Sequence, residues 1–238
     1  MDNELQAILK NFENQGTLLV EGKRNKIKIF AYNGKEVAIK SFRIPIFING
    51  IIYKFFRPSK AKRSFDYAKI LTQKGIGTPE PIAYYEHSNF YRILDSYYVC
   101  EHIQADYVFK DLFHQELSKI EFILKQFAHF CFAMHENGIE FLDHSPGNTL
   151  IKIDENQNCQ FYLIDLNRMK FHQKIDFDLR MKNLSKITPS KEMVQLISKE
   201  YAKLYQKNEN EVFEKMWYYT SKFQKKFLRK KKLKNFKI

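Results

Sequence analysis

The hydrophobic rhythm of the chain changes near residue 103. Before it, short runs alternate in the manner of strands; after it, apolar residues recur mostly at helical spacing. In residues 17–42, "IKIF" and "VAIK" flank "AYNGKE", and Asn33-Gly34 predicts a hairpin between two strands. Over residues 57–75 the period becomes helical. Ala61, Phe65, Ala68 and Leu71 make one stripe, Ser59 can cap its start and Gly75 can end it. "GTPEPIAYYE" reads as a turn entering a strand, and residues 91–103 hold one or two more strands. Residues 110–138 predict one long helix stopped by Gly138. "TLIKI" and "QFYLID" predict two short strands around "DENQN", and from about residue 176 the chain is helical and increasingly basic. No internal repeat and no Gly/Ser linker is present. The expectation is an α+β fold with two parts. Residues 1–103 are β-rich with one main helix, and residues 104–238 are compact and mostly helical.

Composition narrows the class. With 238 residues, 44% of them hydrophobic and 16% aromatic, the chain can bury a core and should fold. A formal charge of +13 favours an anionic partner: nucleotide, nucleic acid, acidic glycan or anionic lipid. Charge alone does not choose among them. The three cysteines, Cys100, Cys131 and Cys159, form no CxxC pair, which suits a reduced cytoplasmic compartment. The opening "MDNELQAILKNF" lacks the apolar centre of a signal peptide, and no window approaches the ~20 apolar residues of a spanning helix. A soluble or peripheral protein is expected.

Three short features can carry chemistry. Lys40 ends the apolar strand Val37 to Ile39; a lone lysine there is commonly just solvated. Asp143 and Asn148 stand five residues apart with Pro146-Gly147 between, in "LDHSPGN"; alone, this is an ordinary turn. Asp165 follows the apolar run "FYLI" and could simply cap the next turn. Their order is more specific than any one of them. It runs hairpin with a strand-end lysine, helix, strands, long helix, Asp-x4-Asn loop, hairpin, Asp.

That order over residues 17–170 resembles the protein-kinase-like superfamily, whose motifs are V-A-I-K, H-R-D-x-x-x-x-N and D-F-G. Here they read "VAIK", "FLDHSPGN" and "DLN". The resemblance implies a bilobed kinase-like fold and the cofactors ATP and Mg²⁺. Lys40 would supply a cation to the phosphates, and Asn148 and Asp165 oxygen ligands to the metal. Asp143 would orient the attacking hydroxyl and accept its proton. Backbone groups near Glu101 and Ile103 would hold the adenine. The glycine-rich loop is missing, since "VEGKRNKIKI" has only Gly22, and Arg24 or Lys23 is the phosphate candidate there beside a plain solvated hairpin tip. "FL" replaces His-Arg before Asp143, so no arginine awaits a phosphorylated activation loop. Ser145 stands where Ser/Thr protein kinases place a lysine, and no Ala-Pro-Glu follows Asp165.

Within the superfamily the chain is similar to the lipopolysaccharide kinase family, the Kdo and heptose kinases of Gram-negative bacteria. The residues that carry this are "AIKSFRIP", "KFFRPSKAKRSFDYAKILTQKGIGTPEPIAYYE", "LDHSPGNTLI" and "LIDLNRMKF". The family's helix offers a Glu to the strand lysine; here Ser64 takes that place and Asp66 is the substitute candidate, two helical positions or about 200° away. The resemblance implies transfer of the ATP γ-phosphate to a hydroxyl of a lipid-linked inner-core sugar, Kdo or heptose. Two alternatives stand beside it. One is a minimal atypical protein kinase; the other is a pseudokinase acting as a membrane or nucleic-acid binding module.

The end of the chain adds a partner. "SKFQKKFLRKKKLKNFKI" carries nine Lys/Arg, no acid, and Phe223 and Phe227 one turn apart. Such a helix suits an anionic membrane surface, here the cytoplasmic face of the inner membrane; a solvated terminal helix has the same pattern. No recognised nucleic-acid module accompanies it, which weighs against nucleic acid.

Overall fold

The computed structural model describes residues 3–22, 25–42 and 57–235. By its contacts the chain divides into two compact units. The first holds the residues up to Gln104 together with Asp165–Asn167; the second holds the remainder.

The first unit is built on a five-stranded antiparallel sheet. Its strands are β1 (Thr17–Glu21), β2 (Asn25–Tyr32), β3 (Lys35–Phe42), β4 (Pro81–Ser88) and β5 (Ile93–Glu101), in the order β1-β2-β3-β5-β4. The expected hairpin joins β2 to β3, with Tyr32 opposite Lys35. Asn33 and Gly34 take φ of 50° and 73°, the left-handed pair that a tight hairpin turn requires. Helix α2 (Lys60–Gln73) packs on β4 and β5 and buries Ala61, Ala68 and Leu71. Ser59 caps it, accepting from the Lys62 amide at 3.0 Å.

Helix α1 (Asn3–Lys10) is an element beyond those expected from the sequence. Leu5 and Leu9 of the helix and Phe12 in the turn after it pack with Phe30, Val37, Ile39 and Val99 of the sheet. Lys28, 7% exposed, fastens the segment. Its ammonium donates to the Phe12, Glu13 and Gln15 carbonyls at 2.8, 2.9 and 2.8 Å. Three donors meet three acceptors, so the buried charge is fully hydrogen-bonded.

The second unit is mostly helical. It contains α3 (Leu117–Glu136), α4 (Phe177–Asn183), α5 (Lys191–Tyr205) and α6 (Glu209–Asn235). The strands β6 (Tyr107–Val108), β8 (Thr149–Ile153) and β9 (Cys159–Leu163) form one small sheet in the order β6-β8-β9. β7 (Ile139–Phe141) and β10 (Met169–Phe171) form a second, two-stranded one. Leu124, Phe127, Phe161, Met181, Ile197 and Tyr201 belong to the core. Each such large side chain contributes roughly 1.5–3 kcal/mol on burial.

The helix expected over 110–138 is in fact two elements. Phe109–His114 is a 3-10 turn, Gln115 is extended, and α3 begins at Leu117. Asp111 accepts from the Val108 amide at 2.8 Å and closes the turn locally. Phe109 and Leu112, three apart, point to the core as 3-10 geometry demands. Gly138 ends α3 at φ 72°, and any Cβ there would lie 2.0 Å from the His172 carbonyl oxygen. Only glycine fits, because His172 and Gly138 pair through their backbones at 2.8 Å.

Candidate active site

In the first unit, the pleat of β3 brings Lys40 opposite Tyr98 of β5 and leaves its side chain 13% exposed. Its ammonium meets Asp165 Oδ1 at 2.5 Å. Lys40 also lies 5.2 Å from the centre of the Phe42 ring. The Asp165 carboxylate is shared, since Asn167 Nδ2 donates to the same Oδ1 at 2.7 Å. Asp165 has φ 59°, a left-handed conformation that Asp tolerates better than most residues. Arg63 of α2, 6% exposed, donates from Nη1 to the Asn167 carbonyl at 2.7 Å and from Nε to the Pro58 carbonyl at 3.2 Å. Helix α2, the Asp165–Asn167 segment and the strand lysine therefore form one connected polar chain.

The substitute Glu expected at Asp66 takes a different partner. Asp66 pairs with Lys62, one helical turn earlier, at 3.0 Å, and Lys40 pairs with Asp165. The i,i+4 spacing on one helix face sets this. Ser64 turns inward and donates to its own helix at Lys60 O, 2.9 Å. Arg63 is the helix residue that reaches the motif, through a backbone carbonyl rather than through the lysine.

At the end of β5, the Glu101 amide donates to Glu80 O at 2.9 Å and the His102 amide to Glu36 O at 3.0 Å. Ile103 is half-buried, and its backbone makes no hydrogen bond among the described residues. A buried backbone group normally has a partner, so Ile103 suits base recognition better than the amide of Glu101 does. Cys100, one position before, has its thiol pushed up to about 12 by burial. The Arg24 assignment lies outside the described residues.

In the second unit, the loop from β7 to β8 carries Asp143 and Asn148. A 3-10 turn at Pro146–Asn148 folds it, with proline in the first position where no amide is needed. Asn148 Nδ2 donates to the Asp143 carbonyl at 2.8 Å, and the Asn148 carbonyl accepts from the Ile164 amide at 3.0 Å. With its NH₂ so engaged, the Asn148 Oδ1 is the atom left for a cation. An amide oxygen and a carboxylate are the hard donors that Mg²⁺ prefers. No cluster of three or more His, Cys, Asp or Glu residues fit to hold a metal occurs among the described residues. Asn148 in the second unit and Asp165 in the first each carry an oxygen of the kind that can ligate Mg²⁺.

Asp143 is 37% exposed and flanked by two cations, Arg168 Nη1 at 3.6 Å and Lys186 Nζ at 3.9 Å. Lys186 also donates to the Leu142 carbonyl at 2.5 Å. Beneath the loop, His144 is fully buried, with the Phe127 and Phe141 ring centres 5.9 and 5.6 Å away. Neither of its nitrogens makes a well-formed hydrogen bond among the described residues, and burial, followed by neighbouring His135, pulls its pKa down to about 3 against a smaller upward pull from Asn183. It is a neutral packing residue under the loop.

Arg63, Asn167, Arg168 and Lys186 were not singled out from sequence. Asn167 and Arg168 sit inside "DLNRM", so their neighbourhood to a candidate metal ligand was readable. Arg63 and Lys186 reach their places only through packing.

A search of curated proteins finds no significant match. The structure is similar to one solved as "WaaP in complex with acyl carrier protein", with 16% identity, 92% of this chain and 90% of that chain covered, and a TM-score of 0.62. That likeness shows a kinase-like fold, an α+β arrangement with a β-rich N-terminal sheet and a helical C-terminal part. The model of the lipopolysaccharide kinase (Kdo/WaaP) family matches residues 13–207. With most of its length covered by that match, the chain belongs to the lipopolysaccharide kinase family, whose members use ATP.

Proposed function

We propose that the protein transfers the γ-phosphate of Mg-ATP to a hydroxyl of Kdo or heptose in the lipopolysaccharide inner core. The observation that carries the reading is the Lys40–Asp165–Asn167 arrangement together with the Asp143-x4-Asn148 loop, in a chain of a lipopolysaccharide kinase family. Asp143 accepts the proton of the attacking hydroxyl. Asn148 and Asp165 would hold Mg²⁺, which would supply positive charge for the phosphate oxygens. Lys40 binds phosphate oxygens, and the backbone at Glu101 and Ile103 holds the base. Phosphoryl transfer asks mainly for positioning and charge stabilisation, so these few groups suffice. The connected chain Arg63–Asn167–Asp165–Lys40 favours an active kinase over a pseudokinase, because a lost site has no reason to keep its ligands oriented.

The protein works at the cytoplasmic face of the inner membrane, with α6 as its contact. Phe227, Leu228 and Leu233 are 53%, 55% and 65% exposed on this basic helix, and no helix among the described residues is long and apolar enough to cross a membrane. Each Lys/Arg near an anionic surface contributes roughly 1 kcal/mol. The test is incubation with Mg-ATP and deacylated inner-core oligosaccharide, read by mass spectrometry. A product carrying one added phosphate on Kdo or heptose supports the reading; transfer to protein only overturns it. Deleting residues 222–238 should release the protein from anionic vesicles while sparing transfer to a soluble sugar.

A further inference from the structure

The cations around Asp143 are not spent on it. Arg168 Nη1 stands 3.6 Å from Oδ2 and Lys186 Nζ 3.9 Å from Oδ1, both beyond hydrogen-bonding distance. The Arg168 guanidinium is 61% exposed and makes no hydrogen bond among the described residues. Lys186 commits one of its three N–H groups, to Leu142 O, and that bond holds its ammonium beside the loop. Two positive charges against one carboxylate leave an excess of one, placed on either side of the same group. Backbone bonds fix both carriers. Leu142 N donates to Arg168 O at 3.1 Å, and Lys186 closes the 3-10 turn Leu184–Lys186 that follows α4. Ser145 occupies the nearby position at which a lysine would stand in a Ser/Thr protein kinase, so these cations come from elsewhere in the fold.

An arginine fork with free edges and a lysine with free donors bind a carboxylate or phosphate well. We propose that Arg168 and Lys186 form an anion subsite beside Asp143, which binds a carboxylate or phosphate borne by the acceptor sugar next to the hydroxyl that is phosphorylated. This rests on the assignment of Asp143 as the base. It sharpens that assignment, since Kdo carries a carboxylate and an unmodified heptose carries none. The subsite selects an acceptor already charged: an acidic sugar, or a heptose that a previous phosphorylation has modified.

The test measures binding first, so that it does not depend on turnover. The full-length protein is titrated by calorimetry with the methyl glycoside of Kdo and its neutral methyl ester, and with methyl heptoside and its phosphate. The expected result is about tenfold tighter binding of one charged form over its neutral partner. Which pair shows it identifies the source of the anion. R168Q and K186Q should each remove most of that preference and leave the neutral ligands unchanged, while R168K keeps part of it. In turnover the loss should fall on acceptor KM, with ATP KM unchanged. Equal binding of charged and neutral forms of both sugars overturns the proposal. So does a fall in kcat that is the same for every acceptor at constant KM, which would place the cations on the transferred phosphoryl group. A wild type that prefers the charged sugar yet phosphorylates neither leaves the subsite standing and removes the reaction proposed above.

Discussion

Asp165 and Asp143 are carboxylates of nearly equal exposure, 33% and 37%, each beside positive charge. Burial therefore cannot explain how differently they are held. Asp165 Oδ1 receives Lys40 at 2.5 Å and Asn167 at 2.7 Å, and its backbone is locked in a left-handed conformation. Asp143 has its cations no closer than 3.6 Å. A metal ligand works by staying fixed, and bonds of the first kind fix it. A base has to reach a proton on a bound substrate, which requires a side chain with slack. The grip on one carboxylate and the freedom of the other match the two roles proposed for them.

The largest effect should come from removing the more loosely held carboxylate. Asp143→Asn should slow phosphoryl transfer by about 10²–10⁴-fold. Thermal stability should hardly move, because half-exposed pairs at such distances contribute little. Steady-state turnover and a melting curve on the same preparation check both statements. A large loss of stability would show that Asp143 is held by the fold rather than left free for substrate.

The next effect concerns the grip itself. Asn167→Leu removes the amide that shares Asp165 Oδ1, and Arg63→Met removes the guanidinium that holds Asn167. Residues that orient a metal ligand typically matter by 10–100-fold in metal affinity, so the Mg²⁺ concentration needed for half-maximal activity should rise by about that factor. Arg63→Met should also destabilise by about 1–3 kcal/mol, since it removes a buried guanidinium and its bonds to the Pro58 and Asn167 carbonyls. An unchanged Mg²⁺ requirement in both variants would break the comparison at its tighter side.

How far the sequence reveals this depends on range. Ser59, Asn33-Gly34 and Gly138 act within a few residues, and each takes the structural role that its type suggests. Lys40 and Asp165 lie 125 residues apart, yet the order of short motifs marked both for one chemistry. Arg63 and Lys186 carry no local signature. An arginine two positions before Phe65 and a lysine in a 3-10 turn look solvent-facing until the chain folds. The strands β7 and β10 are three residues each, too short for alternation to show, and their pairing is non-local. Helix α1 was readable from Leu5, Leu9 and Phe12, whose spacing of four and three is helical. The break at Gln115 was not, because it depends on Asp111 bonding back to Val108.

A smaller effect lies in the packing around the Asp143 loop. His135 and His144 are fully buried, and burial pulls both down to about 3. Their folded pKa values lie below the unfolded value near 6.5, so the unfolded chain binds more protons between those limits. Their contribution to stability is thus complete above about pH 6.5 and is lost as pH falls toward 3. The expected slope is roughly 1.4 kcal/mol per pH unit for each histidine. Denaturant unfolding between pH 7 and 4 should show the decline, and His144→Leu should make it shallower. An identical slope in that variant would remove His144 from the account.

The division of labour between the two carboxylates is tested most directly by calorimetric titration of ATP, with and without Mg²⁺, into Asp165→Ala and Asp143→Asn. Asp165→Ala should lose the Mg²⁺-dependent part of ATP binding, whereas Asp143→Asn should bind Mg-ATP as the wild type does while failing to transfer phosphate. Wild-type Mg-ATP binding by both variants, or an equal loss in both, would contradict that division.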